Sequence, residues 1–155
     1  ASTSTGFDNL VTTALSATNL TAMKIQMSKI RSPRGNRTDV VGDTLLVPPD
    51  LYDTAFEIVA SQGKVDTDQN NPNIHYGQYK LMIWPYLMGD DDSETNNYFL
   101  IDGKRMKQAV KWYQRIPYEA NFIRDFDTFQ KKWSGYERYS YGVGDWRWVV
   151  GANVT

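Results

Sequence analysis

Apolar residues at Leu20, Met23, Met27 and Ile30 recur at spacings of three and four, the period of one helix face. Ser16 stands where an N-cap belongs. Lys24, Gln26, Ser28, Lys29 and Arg31 fill much of the remaining surface, so the pattern predicts an amphipathic helix of about four turns over residues 16–31. Ser32-Pro33-Arg34-Gly35-Asn36 is dense in helix breakers and ends it. Upstream, a Ser/Thr-rich start leads to Leu10, Val11, Ala14 and Leu15, which read as a short helical turn.

A second pattern runs from Thr44 to Ala60. Thr44-Leu45-Leu46-Val47 is a short apolar strand, and Val47 is held extended by the proline after it. Pro49 lacks an amide hydrogen and suits the approach to a helix. Asp50 is the expected cap, its charge matching the positive end of the helix dipole. Leu51, Ala55, Ile58 and Val59 then fall on one face. This stretch predicts a strand-to-helix junction at the edge of a core.

Gln62-Gly63 closes that helix, and residues 64–78 form a polar loop rich in Asp and Asn. Tyr79 to Trp84 reads as a strand ended by Pro85, Gly89 to Asn97 as a solvated turn, and Tyr98 to Ile101 as a return strand. Asp102-Gly103 is a good tight-turn pair. From Ala109 the pattern is β-like: Val110, Trp112 and Gln114 mark one face, with Lys111, Tyr113 and Arg115 on the other. Phe122-Ile123 is only a short apolar run. Phe129 to Tyr141 reads as one long strand, Gly142 to Asp145 as a turn, and Trp146 to Val150 as a closing strand.

Composition bounds the rest. A chain of 155 residues with 41% hydrophobic and 14% aromatic content folds as one domain or two joined lobes. The absence of cysteine excludes disulfides, thiolate metal sites and thiol nucleophiles. No apolar run approaches the ~20 residues that cross a bilayer as a helix, and no membrane partner is expected. The start at Ala1, without Met, leads us to expect residues upstream. The net charge of −1 hides a division: residues 1–38 carry +4, residues 39–102 carry −10, and residues 103–155 carry +5. Like-signed ends and an opposed middle suggest that the ends lie together while the middle forms its own lobe.

Catalytic chemistry finds little support. His75 is the single histidine, in a polar loop with no partner spaced for a triad or a metal site. Asp90-Asp91-Asp92-Ser93-Glu94 lacks the alternating ligands and central glycine of a calcium loop. Gly142-Val143-Gly144 precedes a strand and is no dinucleotide fingerprint. No carboxylate pair stands in a distinctive context for glycoside hydrolysis. Lys24, Lys29, Arg31, Arg34 and Arg37 are candidates for phosphate contact, although the interleaved aromatics of a single-strand binder are missing. No catalytic, cofactor-binding or metal-ligating residue is assigned.

Taken in order, Leu15 to Leu20 with its helix, Leu46-Val47-Pro48-Pro49 with its helix, and the closing Gly142-Val143-Gly144-Asp145-Trp146-Arg147 resemble the C-terminal part of a major capsid (head) protein of tailed bacteriophages. The resemblance covers nearly all of residues 15–153. It implies an α+β fold: a peripheral domain with a long spine helix and long β-strands, and an inserted axial α/β domain. Residues 1–43 would hold the start and the spine helix, 44–108 the axial domain, and 109–155 the return to the peripheral sheet. The N-terminal arm and extended loop of that family have no counterpart here, so a truncated or processed piece is expected.

The resemblance further implies a non-enzymatic shell subunit without cofactors, joined to copies of itself as pentamers and hexamers. It would reside in the virion, and in host cytoplasm during assembly. Asp66, Asn71, Asn73, His75, Asp90, Asp91, Asp92 and Glu94 are the candidate subunit-contact residues, since loops carry binding. Lys24, Lys29, Arg31, Arg34 and Arg37 are the candidates for facing packaged DNA. Two other readings stand beside this one: a shell subunit of a protein-cargo compartment, and a carbohydrate-binding β domain using Trp133, Trp146 and Trp148.

Overall fold

In the computed structural model, which describes residues 8–63 and 72–154, the stripe Leu20, Met23, Met27 and Ile30 is wholly buried. Its first three members lie on α1 (Ala17–Ser28), whose N-cap Ser16 accepts from the Asn19 amide. The helix stops at Ser28, short of the expected Arg31. The Lys29 and Ile30 amides turn back to the Gln26 and Met27 carbonyls, tightening the last turn so that Ile30 still enters the core.

A five-stranded mixed sheet supports this helix. Its strands are β1 (Leu10–Val11), β2 (Thr44–Val47), β3 (Lys80–Ile83), β4 (Tyr98–Ile101) and β7 (Val149–Ala152), in the order β1-β7-β4-β2-β3. β4 runs antiparallel to both β2 and β7, whereas β1 with β7 and β2 with β3 are parallel. Leu10-Val11 is therefore an edge strand and not a helical turn: its pairing with Gly151 and Ala152 supplies backbone partners that a single turn lacks. α2 (Tyr52–Ala60) buries Ala55, Ile58 and Val59. These residues join Leu45, Val47, Tyr98, Leu100 and Val150 in the same core as α1. One sheet thus draws strands from all three charge segments, and its core spans the boundaries expected near residues 43 and 108.

Asp50 does not cap α2. Pro49–Leu51 form a 3-10 turn after Pro48, and no side chain caps either helix start. The tight turn begins the helix instead, with the Leu51 amide on the Pro48 carbonyl at 3.2 Å. Asp102 has the reverse history. It is no tight turn but the N-cap of α3 (Gly103–Ala109), accepting from the Arg105 amide at 3.0 Å.

The remaining strands form a separate two-stranded sheet, β5 (Val110–Arg124) and β6 (Lys131–Val143). Phe122-Ile123 is the far end of β5 rather than an isolated run. β6 starts at Lys131 and not at Phe129, because Phe129 sits at φ 53° in the turn that the Asp125 amide closes on Gln130. Trp146 and Trp148 precede β7 and are not part of it. Among the described residues, no helix is long and apolar enough to cross a membrane.

Candidate subunit interface

The β5–β6 hairpin is built to be wet on both sides. Of its 15 and 13 strand residues, Ile116 alone is less than exposed. At strand spacing it reaches roughly 45 Å. An isolated two-stranded hairpin is marginally stable in water, so internal devices must hold this one. Register jumps between Gln114 and Ile116, and between Ile116 and Glu119, put two bulges in β5. Pro117 falls within the second, where a missing amide hydrogen breaks no ladder bond.

The register sorts most of the aromatics onto one face, with Tyr113 and Tyr136 alternating to the other. Val110 opposes Val143, Trp112 opposes Tyr141, and Phe122 opposes Trp133. Trp112 stacks on Tyr139 and lies near Tyr141. Gln114 donates to Glu137 Oε1 at 3.2 Å on the same face. Between these and the hairpin end, the Tyr118 ring lies over Gly135, where an added Cβ would come within 3.0 Å of it. The result is a nearly continuous aromatic face with no covering element among the described residues. Exposed apolar surface of this extent marks an interaction site.

The loop candidates divide. Asp66 and Asn71 lie outside the described residues. Asn73 and His75 make hydrogen bonds within the fold. The Asn73 side-chain amide donates to the Ile58 and Ser61 carbonyls at 2.7 and 2.8 Å, and its oxygen accepts from the His75 amide at 2.9 Å. His75 is only 3% exposed, with Nε2 at 3.0 Å from both the Ala17 carbonyl and Thr21 Oγ1. Burial pushes its pKa below the ordinary value; the Ala17 hydrogen bond opposes this and the Lys24 charge adds to it. Asp90, Asp91, Asp92 and Glu94 do lie on an exposed turn. There the Ser93 hydroxyl and amide, bonded to Asp91 Oδ1, hold that carboxyl below the usual carboxylate range. Among the described residues, no group of three or more His, Asp or Glu could hold a metal ion.

Two of the basic candidates have hydrogen-bond partners within the chain. Lys24 donates to Gln78 Oε1 at 2.8 Å, and Arg31 to the Gly35 carbonyl at 2.9 Å. Lys29, Arg34 and Arg37 are exposed. Trp133 is 67% exposed, but Trp146 and Trp148 are half-buried, and the Trp148 indole donates to the Asp145 carbonyl at 2.6 Å. The aromatic face draws on Trp112, Trp133, Tyr139 and Tyr141, which the strand periodicity marks singly but which only the cross-strand register brings together.

A family model described as phage capsid protein matches residues 1–152. No curated protein matches the chain. Capsid families are structural rather than enzymatic, and their members build shells from copies of themselves. The match spans nearly the whole chain, and the exposed hairpin suits such a role. The chain belongs to a family of phage capsid proteins and is a structural subunit of the virion shell.

Proposed function

We propose that this chain is the head subunit of a tailed phage or prophage, and that the β5–β6 hairpin is the arm by which it grips neighbouring copies. The hairpin would supply the long-stranded peripheral part, and the five-stranded sheet with its helices the axial part. Under this division α1 belongs to the sheet body, because it packs into that core. The exposed turn Asp90 to Glu94 would face other axial parts around five- and six-fold axes. Its four carboxylates repel one another around such a ring, so bound cations or basic neighbours would be needed there. Lys29, Arg34 and Arg37 would face packaged DNA, and shells would assemble in the host cytoplasm.

One observation carries this reading: a hairpin of 28 strand residues with an aromatic face that no element among the described residues covers. Such a face is stabilised by burial against a partner, and a shell supplies identical partners by symmetry. The test is electron microscopy and sedimentation of the purified chain across a range of concentrations and salts. Rings or closed particles are the expected result. A strict monomer under every assembly condition overturns it.

A further inference from the structure

The end of the hairpin and the outer side of α2 carry opposite charges on matching aromatic ground. Arg124 and Lys131 stand directly across the strands from each other, next to the opposed pair Phe122 and Trp133. Lys131 Nζ lies 5.9 Å from the centre of the Phe122 ring, and the Arg124 guanidinium 5.2 Å from that of Phe129. Both cations are exposed, and neither has an ion pair among the described residues. Lys132, by contrast, is paired with Asp125 and alternates to the opposite face.

α2 presents the complement. Ala55, Ile58 and Val59 face the core, which leaves Asp53 and Glu57 outward one turn apart. Tyr52 and Phe56 lie beside them with ring centres 5.8 Å apart. All four are exposed, and neither carboxylate has an ion pair among the described residues. Asp50 adds a third negative charge on the preceding turn, and no Lys or Arg occurs between residues 44 and 63.

These two surfaces do not meet within one chain, since each is open to solvent. A contact between two different patches is head-to-tail: every copy offers one hairpin end and receives another. We propose that the Arg124–Lys131 end of the hairpin docks on the Asp53–Glu57 face of α2 in a second copy of this chain. Two cations over two carboxylates set the register, and the flanking aromatics supply the buried area. The inference rests on the shell-subunit reading and names the surfaces through which that assembly closes.

The test compares the wild-type chain with Asp53→Lys/Glu57→Lys, with Arg124→Glu/Lys131→Glu, with an equimolar mixture of these two variants, and with the fourfold variant. Circular dichroism melts confirm folding, and light scattering with negative-stain microscopy reads assembly. Each double variant alone is expected to need roughly tenfold more protein to assemble, through like-charge contact. The fourfold variant regains assembly, because its reversed surfaces then face one another, and the mixture regains it in even-membered rings, where the two variants alternate. Wild type and both double variants assembling alike overturns the docking and leaves the shell reading intact. Loss in the double variants without recovery in the fourfold variant also overturns it. A monomeric wild type removes the shell reading itself.

Discussion

Trp112 and Tyr139 stack across the hairpin with ring centres 4.4 Å apart and planes 18° from parallel, yet they remain 59% and 52% exposed. The stack orders the two strands without burying them, and Tyr141 lies near-parallel to Trp112 as well. A cross-strand aromatic pair contributes about 0.5–1.5 kcal/mol beyond area burial. Trp112→Ala should therefore loosen the hairpin, leave the melting of the sheet body nearly unchanged, and weaken assembly. Circular dichroism melts paired with light scattering check this. Undiminished assembly would show that this face is dispensable.

Asp102 ties α3 to the rest of the body. It accepts from the Arg105 amide at 3.0 Å and the Val41 amide at 3.2 Å while buried, and the Arg105 guanidinium lies 3.8 Å away. Asp102→Ala removes the cap and leaves the Val41 amide without its acceptor. The expected loss is about 2–3 kcal/mol, read by urea unfolding. Asp102→Asn, which retains an acceptor oxygen, should lose less.

His75 makes stability depend on pH in a defined direction. Its folded pKa lies below the ordinary histidine value of 6.5, chiefly through burial. The unfolded chain therefore takes up the proton first as pH falls. The contribution of neutral His75 is fully present above pH 6.5 and is lost progressively below it. Urea midpoints at pH 7.5 and 5.5 should differ more for the wild-type chain than for His75→Gln. Equal differences would assign the pH dependence to other groups.

Gly42 marks a close approach in the core. A Cβ there would stand 2.5 Å from Leu100 Cγ, and Leu100 is fully buried in the middle of β4. Gly42→Ala should destabilise the body by about 1–3 kcal/mol through overpacking. The readout is a lower thermal midpoint, partly recovered by the second change Leu100→Val.

The periodic parts of this fold were legible in the sequence, and the parts decided at a distance were not. Leu20, Met23 and Met27 announced α1, and Thr44 to Val47 announced β2, because period and breakers act locally. Leu10-Val11 gave no such signal: two residues become a strand only by pairing with Gly151 and Ala152. Asp102-Gly103 suits either a turn or a cap, and the Val41 amide, distant in sequence, helps fix Asp102 in place. The bulges around Ile116 interrupt the alternation of β5, which is why Phe122-Ile123 looked isolated. His75 sat in a polar run, and its burial comes from packing against Ala17 and Thr21 of α1. Aromatics at Trp112 and Trp133 were plain, but aromatic residues more often signal a core than an open face. Their exposure follows from the hairpin standing apart from the five-stranded sheet.

Hydrogen exchange across residues 110–143, measured on assembled particles and on the dissociated chain, is the most direct test of the hairpin as the assembly arm. In the free chain, a two-stranded sheet exposed on both faces should exchange quickly. In particles, the same amides should slow by at least roughly tenfold while those of β2 and β4 change little. Equal exchange of residues 110–143 in particles and free chain would contradict it, placing the subunit contacts elsewhere on the molecule.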